Sequence, residues 1–184
     1  MDMDEFSSLF EECVEVPLRQ QGFERYKKTK SLILTKGDVQ LSLIRLGGRR
    51  AQAGCITQTL CFRHTFLRPI NSDSPVAFTL EPHDYPFKLT LQAFAEPRPE
   101  QLLYRPMNLG RWPKDRYCFE AEDPKNVQRD LNGLKDLLVK EVVPWSSRMT
   151  PEVVAAQIKK LGEGAWCERR WLADYQAYRT GDKR

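Results

Sequence analysis

Residues 16–46 have the sequence VPLRQQGFERYKKTKSLILTKGDVQLSLIRL, and they carry the clearest structural signals in the chain. A predicted helix ends here at Gly22-Phe23, because glycine is a natural helix stop. Ser31–Thr35 and Val39–Leu46 follow as predicted strands, with the tight turn Lys36-Gly37-Asp38 between them. The stretch therefore predicts a helix that leads directly into an antiparallel hairpin.

Upstream of this stretch, apolar side chains recur every three or four residues, which predicts a helix with one buried stripe. They are Phe6, Leu9, Phe10, Cys13, Val14 and Leu18. We place this helix at residues 4–21. A kink or restart is expected at Pro17, because proline removes one backbone donor.

Downstream, three further strands are predicted at Gly54–Phe66, Val76–Leu80 and Phe87–Phe94. The last of them alternates apolar and polar side chains, which is typical of a half-buried strand. No two neighbouring strands are separated by a helix-length crossover. The sheet over residues 31–94 is therefore predicted to be antiparallel, with about five strands.

The remainder of the chain is predicted to be mainly helical. A proline-interrupted connector at residues 97–123, with a short strand at Arg116–Ala121, leads to C-terminal helices at 124–178. Pro144 is expected to end the first of these helices, and Thr150 to cap the second. We predict one α+β domain over residues 1–184, with the N-terminal helix and the C-terminal helices packed against the sheet.

Composition narrows the class of protein. The chain has 41% hydrophobic and 29% charged residues, as ordinary globular proteins do. Its acidic start lacks the features of a secretory signal, and no apolar run approaches the roughly 18 residues that span a bilayer. The five cysteines are scattered without a CxxC pair, which indicates reduced thiols. We predict a cytoplasmic protein with no membrane partner, no metal and no cofactor.

Charge is distributed unevenly along the chain. Residues 1–18 hold six acidic side chains and no Lys or Arg, whereas residues 19–69 hold eleven basic and two acidic side chains. Residues 70–184 are nearly balanced, with eighteen basic and seventeen acidic side chains. Polarised surfaces usually meet other macromolecules, so the pattern predicts a binding function.

Two surfaces are candidates for that binding. The predicted partner-binding residues are the acids of the first helix: Asp4, Glu5, Glu11, Glu12 and Glu15. The alternative is a basic patch of Arg25, Lys27, Lys28, Lys30, Arg49 and Arg50. Such a patch would neutralise phosphates in a nucleic-acid-binding module, or would receive a protein with an acidic surface. On the last helix, Trp171, Leu172, Tyr175 and Tyr178 form a stripe typical of a core or of a partner-facing helix.

No group of residues has the spacing of a catalytic site, and we predict no enzyme activity. Cys61 and His64 lie three apart on a predicted strand, so they point to opposite faces. An enzyme that uses His83 or the acids Glu120–Asp123 is a third hypothesis, and it requires those side chains to converge in a pocket. Asp123 is instead expected to cap the helix that follows it.

The phrase Leu18-x-x-x-Gly22-Phe23, the segment Arg25–Lys28 and the turn Gly37-Asp38-Val39 resemble an uncharacterised bacterial family, a domain of unknown function. In that family a helix that ends in Leu-x-x-x-Gly-Phe leads into a basic hairpin and an antiparallel sheet. The likeness covers roughly residues 5–65. Small α+β proteins of this sort are often similar to immunity proteins, which neutralise a cognate secreted toxin, or its toxin domain, by binding it. The resemblance implies a toxin-binding protein. If the toxin is a nuclease, the acidic face would fill its basic groove.

Overall fold

The computed structural model describes residues 1–26, 29–46, 55–80, 84–85, 87–90, 116–118, 123–161 and 166–181. Helices lie before and after an antiparallel sheet along the chain, which confirms the α+β class. The helical elements are α1 (Met3–Phe10), a first π turn (Glu11–Glu15), α2 (Val16–Gln20), α3 (Pro124–Leu137), a second π turn (Leu138–Val142), α4 (Val143–Arg148), α5 (Pro151–Leu161) and α6 (Trp166–Thr180).

The first helix agrees closely with the prediction. The Asp2 side chain accepts hydrogen bonds from the backbone N–H groups of Asp4 and Glu5. The Glu5 carboxylate accepts one from the Asp2 N–H in return, which completes a capping box. The helix ends before Gly22, whose φ of 92° is readily adopted only by glycine.

Two prolines are accommodated by π turns instead of breaking their helices. The Val16 N–H donates to the Glu11 carbonyl, and the Val143 N–H donates to the Leu138 carbonyl, five residues back in each case. Proline follows at once, so the wider turn ends just before the residue that has no N–H to donate. The expectation that Pro144 ends its helix is therefore wrong, because the helical segment continues to Arg148.

The strands are β1 (Glu24–Arg25), β2 (Leu32–Lys36), β3 (Val39–Leu46), β4 (Cys55–His64), β5 (Phe87–Thr90) and β6 (Arg116–Cys118). Their order is β1-β2-β3-β4-β5, and β6 pairs with a separate part of β4. Four of the described strands have four or more residues, whereas about five strands were predicted for the sheet over residues 31–94.

The predicted strand at Val76–Leu80 is wrong. The segment pairs with none of the described strands, and two of its carbonyls accept hydrogen bonds from side chains of the sheet. The Gln40 amide donates to the Ala77 carbonyl at 3.0 Å, and the Arg63 guanidinium donates to the Val76 carbonyl. These side chains take the place of ladder bonds, so the segment lies against the sheet as a loop.

The core lies between one face of the sheet and the helices. Leu41 pairs in register with Leu34 on β2 and with Phe62 on β4, and all three side chains are buried. The helices add Phe6, Phe10, Leu131, Trp145, Ile158 and Trp171. Full burial of one such side chain contributes about 2 kcal/mol, so this set holds α1, α3, α4, α5 and α6 in the core.

The last two helices, α5 and α6, lie near their predicted positions. The Thr150 hydroxyl accepts the Val153 N–H at 3.4 Å, which confirms Thr150 as the cap of α5. The start of the predicted last helix at Ala165 lies outside the described residues, and α6 extends two residues beyond the predicted end at Tyr178. Much of the predicted connector 97–123 lies outside the described residues as well.

Candidate functional site

Four of the five predicted partner-binding acids are exposed on the first helix. We call Asp4, Glu5, Glu11 and Glu12 the acidic helix surface. The opposite side of the same helix is anchored in the core through Phe6 and Phe10, whose side chains are fully buried. The carboxylates are therefore carried on a backbone that packing holds in one position.

Glu15 is a correction to the predicted set, because its side chain is only 2% exposed. The first π turn directs it toward β1, where Arg25 Nη2 lies 2.5 Å from Glu15 Oε2. This hydrogen bond raises the pKa of the Arg25 guanidinium. Glu15 therefore joins the helix to the sheet, and the acidic helix surface does not include it.

The basic patch is only partly described. Arg25 also lies 3.7 Å from Glu11, so opposite charges meet at this residue. Lys30 is exposed to solvent. The remaining members of the patch lie outside the described residues: Lys27, Lys28, Arg49 and Arg50.

His64 is a core residue. Its ring is fully buried and packs against both Phe66 and Trp171, with ring centroids 5.4 and 5.3 Å away. Nε2 donates to the Met149 carbonyl at 2.9 Å, because a carbonyl can only accept. Burial lowers the pKa of the imidazole to about 4, so the ring is neutral at pH 7. Cys61 packs on the other face of the sheet with Ile44 and Tyr85, as the strand spacing predicts.

The remaining candidates from the sequence do not form a described site. Asp123 Oδ1 accepts the Lys125 N–H at 2.8 Å, which confirms it as a helix cap. His83, Glu120 and Glu122 lie outside the described residues. In the part of the chain that the structure describes, no three His, Cys, Asp or Glu side chains are arranged to hold a metal ion.

Sequence reasoning missed a groove between the loop 65–75 and the C-terminal half of α6. We call it the α6 groove. Its volume is about 920 Å³, and its apolar lining comes from Phe66, Pro75, Ala173, Ala177 and Tyr178. The aromatic stripe of the last helix is thus divided, because Trp171 is fully buried while Tyr178 is 48% exposed. In the sequence the only signal was the aromatic stripe itself, which does not show that Tyr178 is exposed.

Two arginines fix the walls of the α6 groove. Arg68 Nε donates to Asp174 Oδ1 at 2.7 Å, and the Arg68 backbone N–H donates to Asp174 Oδ2 at 3.0 Å. From α6, the Arg170 guanidinium donates to the carbonyls of Arg68 and Pro69 at 3.3 and 2.5 Å. Charge-assisted bonds of this kind are about twice as strong as neutral ones, so they hold the loop firmly against α6.

Comparison with protein-family models, with curated proteins and with solved structures found no match for this chain. A search of the described helices finds none that is long and apolar enough to cross a membrane. The function must therefore be inferred from the charge, burial and contacts of the described surfaces.

Proposed function

We propose that this chain is a protein-binding protein of the immunity type, which neutralises a cognate bacterial toxin by direct contact. The acidic helix surface is the observation that supports the proposal. Its four exposed carboxylates share one rigid helix, and residues 1–18 contain no Lys or Arg. Among the described residues, only Arg25 makes an ion pair with any of the four, at Glu11.

Such a surface suits a partner with a basic groove. Opposite charge on two proteins steers their encounter and raises the association rate, while like charge excludes wrong partners. Met3 and Val16 stand beside the acids and are 48% and 44% exposed. Apolar side chains within a charged surface can supply the contact that slows dissociation. The surface therefore has both parts of a protein interface.

The direct test is co-expression with the product of the neighbouring gene, the candidate toxin. We expect the chain to relieve its toxicity and to co-purify with it. Glu12→Lys is expected to weaken the complex about tenfold or more, because it reverses one charge in the interface. Glu141→Lys is the matched control, since Glu141 is also an exposed glutamate in a π turn.

Several outcomes would overturn the proposal. The first is failure of the chain to bind the candidate toxin or to relieve its toxicity. The second is an equal loss of affinity in the two variants, which would move the interface away from the acidic helix surface. The third is tight binding to DNA or RNA that weakens steeply with salt, because the basic patch would then be the functional surface.

A further inference from the structure

We propose that the α6 groove is a second binding site, which receives an arginine side chain from an extended segment of a partner protein. The inference goes beyond the proposed function, because it rests on a different surface. Asp38 precedes β3 at the end of the strand that faces the groove. Arg45 is near the other end of β3, and its guanidinium lies 3.9 Å from Met3 Sδ at the start of α1. A strand of eight residues spans about 25 Å, so the groove and the start of α1 are well separated.

The groove presents a fixed aromatic platform. The Tyr178 ring stacks on Phe66 with 5.0 Å between centroids and 17° between planes. Its hydroxyl donates to Asp38 Oδ1 at 2.8 Å, which raises the pKa of the Tyr178 phenol. Donation to a carboxylate also increases the electron density of the ring. An exposed, electron-rich ring held at two points is a good acceptor for a cation–π contact.

The charge around this platform favours a cationic ligand. Arg68 and Asp174 neutralise each other, with 2.5 Å between Nη2 and Oδ1. Asp73 also lines the groove and is exposed; its charge acts on Arg68 without a direct ion pair among the described residues. Asp38 adds a second carboxylate beside Tyr178. The lining thus carries a net negative charge next to an apolar wall.

Arginine fits this combination better than lysine does. Its planar guanidinium can stack on an aromatic ring while its N–H groups bind a carboxylate in a fork, and lysine offers only a point charge. The groove is also larger than one side chain requires, at about 920 Å³. It therefore has room for the backbone and small neighbouring residues of an extended segment.

The test is an NMR titration of the ¹⁵N-labelled full chain with the blocked peptide acetyl-Ala-Arg-Ala-amide. Lysine and norleucine analogues are the comparison ligands. We expect shifts confined to residues 65–75 and 173–181, and an affinity order of arginine, lysine, then norleucine. Asp73→Asn and Tyr178→Leu are each expected to weaken arginine binding about threefold or more, while Glu141→Gln leaves it unchanged.

Four results would overturn the inference. Equal binding of the norleucine peptide would show a groove that selects apolar groups only. Absence of shifts up to about 10 mM peptide would remove the site, since affinity would then be weaker than any useful contact. Full binding by the Asp73→Asn/Tyr178→Leu double variant would place the peptide elsewhere. A solution dimer that Tyr178→Lys dissociates would assign the groove to a second copy. None of these results depends on the toxin, so they are separable from failure of the proposed function.

Discussion

Acidification from pH 7 to pH 4 is expected to destabilise this protein through His64. The imidazole is buried against Phe66 and Trp171, and burial lowers its pKa from 6.5 to about 4. The hydrogen bond from Nε2 to the Met149 carbonyl and the charges of Asp38 and Glu152 oppose this shift without cancelling it. The unfolded chain therefore binds a proton on this residue between pH 6.5 and 4, where the folded protein does not.

The size and sign of the effect follow from the two pKa values. Stability from this group is complete above pH 6.5 and is lost as the pH falls toward 4. A full pKa unit corresponds to about 1.4 kcal/mol, so His64 lowers the free energy of unfolding by about 2 kcal/mol at pH 5 and about 3 kcal/mol at pH 4. Carboxylates also contribute to acid denaturation. Comparison with a variant that lacks His64 separates the contribution of the imidazole from that of the carboxylates.

The assay is urea denaturation of the wild type and His64→Phe at pH 7, 6, 5 and 4. Phenylalanine keeps an aromatic ring at this position but cannot titrate. We expect the wild type to lose about 3 kcal/mol more than the variant over this range. In the wild type, NMR should show a His64 ring that stays neutral down to pH 5. Equal pH slopes for the two proteins, or an imidazole that titrates near pH 6.5, would show that His64 is not the source of the acid sensitivity.

Three further predictions concern contacts that fix the two candidate surfaces. Arg25→Leu leaves the buried Glu15 carboxylate without its ion pair and should lower the free energy of unfolding by about 2 kcal/mol, whereas Arg25→Leu/Glu15→Leu should remain within about 1 kcal/mol of the wild type. The measurement is urea denaturation, and an Arg25→Leu variant as stable as Arg25→Leu/Glu15→Leu would contradict this expectation. Asp174→Asn should weaken the bonds to Arg68, so hydrogen exchange of the Arg68 amide should accelerate, and unchanged protection would show that the loop is held by other contacts. Gly22→Ala should cost about 1–2 kcal/mol, because φ is 92° there and an added Cβ would lie 3.4 Å from a Leu34 methyl carbon. An unchanged Tm would contradict the last expectation.

The local elements of the fold follow from the sequence where one physical signal dominates. The apolar stripe through Phe6 and Phe10 predicted a helix, and the turn at Gly37 predicted the β2–β3 hairpin. Gly37 has a φ of 57°, which a tight hairpin turn requires. In both cases the residues that determine the element are close together in the sequence.

Elements that depend on distant residues were missed or misplaced. The Val76–Leu80 segment has strand-like composition, but Gln40 and Arg63 bind its carbonyls from the sheet. Prolines normally end helices, and the expectation at Pro144 followed that rule. The helix continues because the Val143 N–H donates to the Leu138 carbonyl, five residues back, just before the proline. The burial of Glu15 arises from the same kind of turn together with Arg25 on another element.

The candidate site was partly predictable for the same reason. Most of the acidic helix surface follows from the absence of basic residues in 1–18, which is visible in the sequence alone. The α6 groove depends on Arg68 and Asp174, which are 106 residues apart. Nothing in the sequence around either residue indicates that they pair, so the groove becomes apparent only in the folded chain.

Docking through the acidic helix surface can be measured directly as the dependence of the association rate constant with the candidate toxin on ionic strength. If the acidic helix surface docks on a basic groove, the rate should fall steeply with salt, and Glu12→Lys should lower both the rate at low salt and the steepness of this dependence. Glu141→Lys should reproduce the wild-type dependence. A salt-independent rate, or the same change in the two variants, would contradict docking through the first helix.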